Sequence, residues 1–353
     1  MSKLKIGVIG TGNIFRHIHA PGWLSLPEVE LVAACDSNRE LAEAAAKDFG
    51  IPRIYTDYRE MLEREELDAV GISTPNLFHS EISIFALNRG IHVFCEKPDA
   101  INPAEARKMA EAARQSGKVL MVMRNNRFTQ ASQFLKRYID SGAMGDIYTG
   151  RTGWIRRRGI PGRGGWFTTK ALSGGGPLID LGVHMIDLAI WLMGNPKPMS
   201  VSASTYTKFA GTTISDPNLK QVTGRPVGGT FDVEDLASGF IRFQNGATLQ
   251  IEFSWASNIE HESKFLELRG TLAGCSMQND DLKLFTEIEQ VLCDITPRFP
   301  KTGDQAHHLN IRHFIDCVFG RTEPIITPEY GVDMIEILSA IYESAETQTE
   351  VRL

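Results

Sequence analysis

Short apolar runs alternate with longer amphipathic stretches over the first third of the chain. The apolar runs fall at residues 4–9, 29–35, 68–73, 91–95 and 119–123. Runs of about five apolar residues, with little polar alternation, are what strands buried on both faces require. The intervening stretches read as helices: from Phe15 up to Pro21, then 37–49, 58–64, 79–88 and 103–116. Gly90 and Gly117 stand just past the last two, where a left-handed residue closes a helix. Regular strand and helix alternation predicts a parallel sheet covered on both faces, with ligands at the carboxyl ends of its strands.

From about residue 130 the pattern changes. A helix to Ser141 is followed by a strand over 146–153, and segments 236–243 and 247–255 flank Gln244-Asn245-Gly246, a hairpin signal because asparagine and glycine accept positive φ. Leu249, Ile251, Phe253 and Trp255 alternate with Thr248, Gln250, Glu252 and Ser254, as in a strand with one buried face. Its other face is polar, so a subunit contact there would be mixed rather than oily. A helix over 178–193 carries an apolar stripe at Leu178, Leu181, Met185, Leu188 and Leu192. Helices over 309–319 and 332–344 close the chain, the last amphipathic. The 353 residues exceed what one core usually fills, about 250 to 300, so two domains are expected, divided as 1–125 and 126–353.

Composition narrows the function classes. The chain is 42% hydrophobic and 23% charged, with a formal net charge of -6, which argues against a general binder of nucleic acid or anionic membranes. Five scattered cysteines without CxxC spacing indicate reduced thiols, neither a disulfide framework nor a thiolate zinc site. No His, Asp and Glu cluster has metal-ligand spacing, so no metal is expected. The first strand starts at residue 4, which leaves no room for a signal peptide, and no run approaches 18 uninterrupted apolar residues. A cytoplasmic protein is the expectation.

The first apolar run ends in Gly10-Thr11-Gly12-Asn13-Ile14-Phe15. A glycine turn between strand and helix lets backbone approach a pyrophosphate, which the helix N-terminus attracts. Phe15 stands where this fingerprint usually has glycine or alanine, so the helix must sit differently here. Asp36 ends the second run, 24 residues after Gly12, at the spacing of an acid that bonds ribose hydroxyls; the alternative is a helix N-cap. A carboxylate there repels a ribose phosphate and favours NAD, while Arg39 nearby leaves NADP open. Thr74-Pro75-Asn76 and Glu96-Lys97-Pro98 follow strand ends and should border the same cofactor.

A lysine, a carboxylate and an imidazole are what an enzyme needs to take the proton of a substrate hydroxyl while hydride leaves its carbon. Lys97, Asp180 and His184 are the candidates. Asp180 and His184 are four apart, and Gly174-Gly175-Gly176-Pro177 opens their helix, so Asp180 lies near its N-terminus. There the dipole favours a carboxylate and a neutral imidazole. The bland alternatives are a solvated lysine, a capping aspartate and a core histidine. The segment Trp154-Ile155-Arg156-Arg157-Arg158, followed by Gly164-Gly165-Trp166-Phe167, offers stacking and polar groups suited to a sugar, though three adjacent arginines cannot all face one pocket. The Gly, Thr and Pro-rich stretch 208–232 could border the substrate.

In combination, the GxGN turn at Gly10, Thr74-Pro75-Asn76 with His79, Glu96-Lys97-Pro98, and Gly174-Gly175-Gly176 leading to Asp180 and His184 resemble the glucose-fructose oxidoreductase / inositol dehydrogenase (Gfo/Idh/MocA) family over almost the whole chain. The resemblance implies an α/β protein: an N-terminal Rossmann dinucleotide-binding domain, then an α/β domain with a large open mostly antiparallel sheet, whose exposed face forms homodimers or homotetramers. It implies that Lys97 is the catalytic lysine, that Asp180 lies beside the reacting hydroxyl and that His184 is the acid/base. The expected cofactor contacts are Gly10, Gly12, Asn13, Ile14, Asp36, Arg39, Thr74, Pro75, Asn76, His79, Glu96 and Lys97. The expected substrate contacts are Lys97, Arg156, Trp166, Asp180, His184 and His308. The activity so implied is NAD-dependent oxidation of a sugar, glycoside or inositol secondary alcohol, or the reverse reduction. Its rivals are an NAD-dependent glycoside hydrolase working through transient oxidation, and a non-catalytic NAD-binding sensor.

Overall fold

The computed structural model describes residues 3–211, 229–303 and 305–353. They divide into two compact units: the residues up to 125 together with 303–335, and 126–302 together with 336–353.

In the first unit, strands β1 (Leu4–Ile9), β2 (Val29–Cys35), β3 (Arg53–Tyr55), β4 (Ala69–Ile72), β5 (His92–Cys95) and β6 (Leu120–Val122) form one sheet in the order β3-β2-β1-β4-β5-β6. Every pair is parallel. This is the Rossmann order, which reverses between β1 and β4 and leaves a crevice at their carboxyl ends. β3, three part-exposed residues long, is too short and too polar to register as an apolar run. Helices α1 (Ala20–Leu24), α2 (Arg39–Phe49), α3 (Tyr58–Arg64), α4 (His79–Leu87) and α5 (Pro103–Ser116) connect the strands.

The first helical segment departs from expectation in two ways. It does not stop at Pro21, which falls in the opening turn of α1, where no intrahelical N–H is needed. Before it, Phe15–His19 form a π-helical turn, and Phe15 is buried edge-on against Phe49, ring centroids 5.7 Å apart. A bulky side chain in place of the usual small residue is thus met by a wider turn. α2 begins at Arg39 because Asn38 is its N-cap, accepting from the Glu40 amide at 2.9 Å.

The second unit is built on α6 (Gln130–Asp140), β7 (Ile147–Ile155), α7 (Lys170–Ser173) and α8 (Val183–Leu192), then β8 (Pro198–Tyr206), β9 (Leu236–Phe243), β10 (Thr248–Ser254), β11 (Ser263–Gly270), β12 (Ala273–Gln278), β13 (Asp281–Ile288) and β14 (Val291–Ile295). Two helices, α9 (Ala306–Val318) and α10 (Pro328–Thr347), precede the closing strand β15 (Val351–Arg352). The nine strands run in the order β14-β13-β12-β11-β7-β10-β9-β8-β15. All neighbours are antiparallel except β7 and β10. In the β9–β10 hairpin only half of the expected turn chemistry applies: Gly246 takes φ +86°, whereas Asn245 acts through its side chain, accepting from the Ala247 amide at 3.1 Å.

Leu249, Ile251, Phe253 and Trp255 point into the core of this unit. The opposite face carries charge and rings together, with Arg151 bidentate on Glu267 at 2.7 and 2.8 Å and lying over Phe265. Beneath the sheet, Arg127 holds Asp187 of α8 through two bonds at 2.8 and 2.6 Å, a fully buried pair. The stretch Lys170–Leu192 has the length and mean hydropathy of a membrane span, yet 83% of that window is buried inside the protein, as a core helix would be.

Candidate active site

At the crevice of the first unit, β1 and β4 deliver two loops that touch backbone to backbone. A Cβ on Gly10, at φ +86°, would lie 2.6 Å from the Ser73 carbonyl carbon and oxygen and 2.8 Å from the Thr74 nitrogen, so only glycine fits. The Ser73 hydroxyl donates to the Gly10 carbonyl at 2.8 Å and locks the same approach. Gly12 differs: a Cβ there would meet nothing within 4 Å. That glycine keeps a space open at the start of a helix, with Asn13 and Ile14 exposed beside it. The Thr74 hydroxyl across the crevice is buried with no hydrogen-bond partner among the described residues. An open glycine cradle and an orphaned donor are what a dinucleotide phosphate would use, and these residues fit NAD.

Asp36 is not a helix cap. Its Oδ2 accepts from the Thr11 amide at 2.8 Å and the Thr11 hydroxyl at 3.2 Å, and its Oδ1 accepts from the Asn38 amide at 2.9 Å. The carboxylate is thereby pinned at the end of β2, where ribose hydroxyls would reach it. Arg39 is exposed and paired with Glu43 at 2.9 Å, along its own helix.

Lys97 sits between two clamps. On its N-terminal side Glu96, buried, accepts from the Lys97 amide at 3.1 Å through Oε2 and meets the buried His19 ring at 2.6 Å through Oε1. Burial pushes the Glu96 carboxyl up, but the His19 hydrogen bond and charge, with Lys97 beside it, prevail and hold it down at about 2. On the other side His79, fully buried, contacts the Pro98 carbonyl at 2.7 Å and the Thr74 carbonyl at 3.0 Å. Burial lowers the His79 pKa while the two carbonyls oppose it. His79 and Glu96, read from the sequence as cofactor contacts, are therefore buried behind the crevice, tying the Thr74 and Lys97 loops to each other. Asn76 is buried as well, whereas Thr74, Pro75 and Lys97 are half-buried at the strand ends.

In the second unit, Asp180 and His184 share one helical segment, as their spacing predicts, but the segment is not α-helical throughout. Leu178–Gly182 form a π-turn that runs into α8, so Asp180 lies in the wide turn and His184 in the first turn of the α-helix. Such turns insert one extra residue and recur at functional sites. The Asp180 Oδ2 accepts from the Trp255 indole at 2.9 Å. Sequence reading placed Trp255 among the core-facing residues of its strand; the ring is indeed fully buried, but its N–H makes it also the group that orients Asp180. Beside His184 lies Trp154, centroids 6.4 Å apart, with the Arg156 guanidinium 5.0 Å and the Lys264 ammonium 5.4 Å from the Trp154 ring. Trp154, from β7, is half-buried and sets an amphipathic ring next to an imidazole, an arrangement that a sugar face would suit.

The remaining expected substrate groups are dispersed. Trp166 stacks on Phe167 at 3.8 Å in a short turn. Among the three arginines, Arg157 is exposed and Arg158 braces the loop, donating to the Ser257 carbonyl at 3.0 Å and to Asn258 at 2.8 Å; Arg156 alone adjoins the His184 cluster. His308 falls in the first turn of α9 within the first unit, packed over Gly22, whose Cβ would lie 3.1 Å from its ring. Of the 208–232 stretch, residues 212–228 lie outside the described residues. Among the described residues no group of three His, Cys, Asp or Glu is placed to hold a metal ion.

Comparison with known proteins bears on the same geometry. Residues 4–124 match the family model described as an oxidoreductase family with an NAD-binding Rossmann fold, and residues 132–275 match the GFO/IDH/MocA C-terminal domain. The chain is 36% identical over 359 residues to D-glucoside 3-dehydrogenase of Escherichia coli (strain K12), covering 100% of this chain and 98% of that protein. It is 28% identical over 355 residues to scyllo-inositol 2-dehydrogenase (NAD(+)) of Bacillus subtilis (strain 168), covering 99% and 96%. Among solved structures, levoglucosan dehydrogenase in complex with NADH and levoglucosan superposes with a TM-score of 0.85 at 26% identity, covering 99% of both chains.

Proposed function

The chain belongs to the GFO/IDH/MocA oxidoreductase family, and from that premise we propose that it is an NAD-dependent dehydrogenase acting on a ring hydroxyl of a sugar, a glycoside or an inositol. The observation that carries this reading is the pair Asp180 and His184 on one helix, with Asp180 oriented by the Trp255 indole, in a chain matched end to end by a glucoside dehydrogenase. NAD, when bound, supplies the hydride acceptor. The Gly12 turn and the helix N-terminus after it would hold its phosphates, Asp36 its ribose, and Thr74 the crevice opposite.

The proton falls to the protein. His184 takes it from the hydroxyl oxygen, and Asp180 accepts a hydrogen bond from the substrate and keeps positive charge favourable on the imidazole. Lys97, at the end of β5 in the first unit, keeps the role of catalytic lysine that the family resemblance implies, a donor and proton relay. Trp154 gives the ring an apolar face to stack on and Arg156 a donor at its edge. The reading extends to a homodimer or homotetramer through the nine-stranded sheet, supported by its mixed face of Arg151, Glu267 and Phe265, and to a cytoplasmic enzyme, supported by five free cysteines of which four are buried.

The test is NADH formation by purified protein with NAD and a panel of glucosides, free aldoses and inositols, run beside Lys97→Met and an assay for released aglycone. Wild type is expected to form NADH on at least one of these, and Lys97→Met to lose about 10³-fold or more in kcat while still binding NADH. Full turnover in Lys97→Met, or aglycone release without net NADH, refutes the assignment.

A further inference from the structure

The helix that carries Asp180 and His184 starts without a side-chain cap from its own neighbours. Its first amides are bound by a carboxylate from another segment. Glu234, 6% exposed, accepts from the Gly176 amide at 2.9 Å through Oε2 and from the Leu178 amide at 3.1 Å through Oε1. The same Oε1 accepts from the Tyr342 hydroxyl of α10 at 2.9 Å. Unpaired N–H groups at a helix start attract negative charge, and a carboxylate with three donors has its lone pairs engaged despite burial.

This arrangement also explains the triple glycine. Gly174, at φ +83°, ends α7 in the left-handed region. Gly175 and Gly176 are glycines for lack of room: a Cβ on Gly175 would lie 1.9 Å from the Tyr342 hydroxyl, and one on Gly176 would lie 2.0 Å from the Glu234 carbonyl oxygen. The helix entry is therefore shaped around Glu234 and Tyr342. Two residues beyond the second bonded amide stands Asp180.

We propose that Glu234, held by Tyr342, is a positioning residue for the reaction: it fixes the entry of the π-turn Leu178–Gly182 and thereby sets where the Asp180 carboxylate and the His184 imidazole stand. This rests on the roles given above to Asp180 and His184. Two backbone amides and the Tyr342 hydroxyl point at the buried Glu234 oxygens, which accept from all three; burial raises the Glu234 pKa and these donors oppose that rise. Small displacements of a reacting group cost large factors in rate, which is why an anchor that never meets the substrate governs kcat.

The built-in reporter is the Trp255 indole N–H, bonded to Asp180. Glu234→Gln keeps one acceptor oxygen and Tyr342→Phe keeps the ring, so both retain the packing, while Leu284→Ala, in β13, serves as a control that costs stability elsewhere in the same unit. In 15N spectra, the Trp255 indole resonance, assigned with Trp255→Phe, should move in Glu234→Gln and in Tyr342→Phe and stay in place in Leu284→Ala. On the substrate found in the panel, kcat should fall about 100-fold in Glu234→Gln and about 5-fold in Tyr342→Phe, with substrate KM within about 2-fold and NADH affinity unchanged. An unchanged kcat in Glu234→Gln, or an indole resonance that moves in neither variant, overturns the proposal. Asp180→Asn run in parallel separates the two levels: full activity there refutes the assignment of the site itself, whereas its loss beside an unaffected Glu234→Gln refutes the positioning role alone.

Discussion

Glu96 shows how much a single residue type can conceal. The tripeptide Glu96-Lys97-Pro98 stands out in the sequence through its lysine, but the carboxylate beside it is buried against His19 and bonded to the Lys97 amide. Its pKa of about 2 lies below the ordinary 4.5, so its ionised form stabilises the folded state. A depressed carboxyl contributes fully above the ordinary value, and the contribution is lost as pH falls from 4.5 toward about 2. Glu96→Gln should therefore be less stable than wild type by roughly 3 kcal/mol near neutral pH, and the difference should shrink below about pH 4. Urea unfolding of both proteins along that pH series checks it; a difference that stays constant would assign the effect to packing. His79 carries the same lesson, since histidine after Thr74-Pro75-Asn76 suggests a ligand contact and the ring is enclosed between two backbone carbonyls.

At the scale of elements, the β1 turn contains two glycines with different reasons for being glycine. Gly10 is demanded by the protein, through positive φ and the approach of Ser73, whereas Gly12 faces open space. Gly10→Ala should cost about 2 to 4 kcal/mol of stability. Gly12→Ala should unfold within about 1 kcal/mol of wild type yet bind NADH at least about 10-fold more weakly, because the added methyl stands where a pyrophosphate would approach. Chemical denaturation and a fluorescence titration with NADH separate the two effects, and equal NADH affinity in Gly12→Ala would remove that turn from the cofactor site. Both helices of functional interest begin in π-turns, Phe15–His19 and Leu178–Gly182. The apolar stripe over 178–193 reports a helix there without showing the wider turn at its start.

For the whole molecule, segment 303–335 groups with the first unit, where Phe314 of α9 packs on Trp23 and Phe94 with ring centroids 6.0 and 5.3 Å apart. In hydrogen exchange the buried amides of α9 should gain protection on addition of NADH together with β1 to β6, since a ligand that binds only the folded unit stabilises all of it. Protection of α9 that follows β7 to β13 instead would contradict this grouping. Local pattern alone determined the alternating strands and helices of the first unit, the amphipathic strand at Thr248, the glycine turn, the place of Asp36 at a strand end and the four-residue spacing of Asp180 and His184 on one helical segment, because each is written in residues a few positions apart, while the role expected of Lys97 came from the resemblance carried by the whole set of motifs. Tertiary structure alone decided the rest: the return of 303–335, the Trp255 indole on Asp180, Trp154 rather than Trp166 beside His184, and Glu234 at the helix entry. These are contacts between segments tens of residues or more apart, chosen by which buried donors and acceptors must find each other once the chain has packed, and no periodicity along the sequence records that choice.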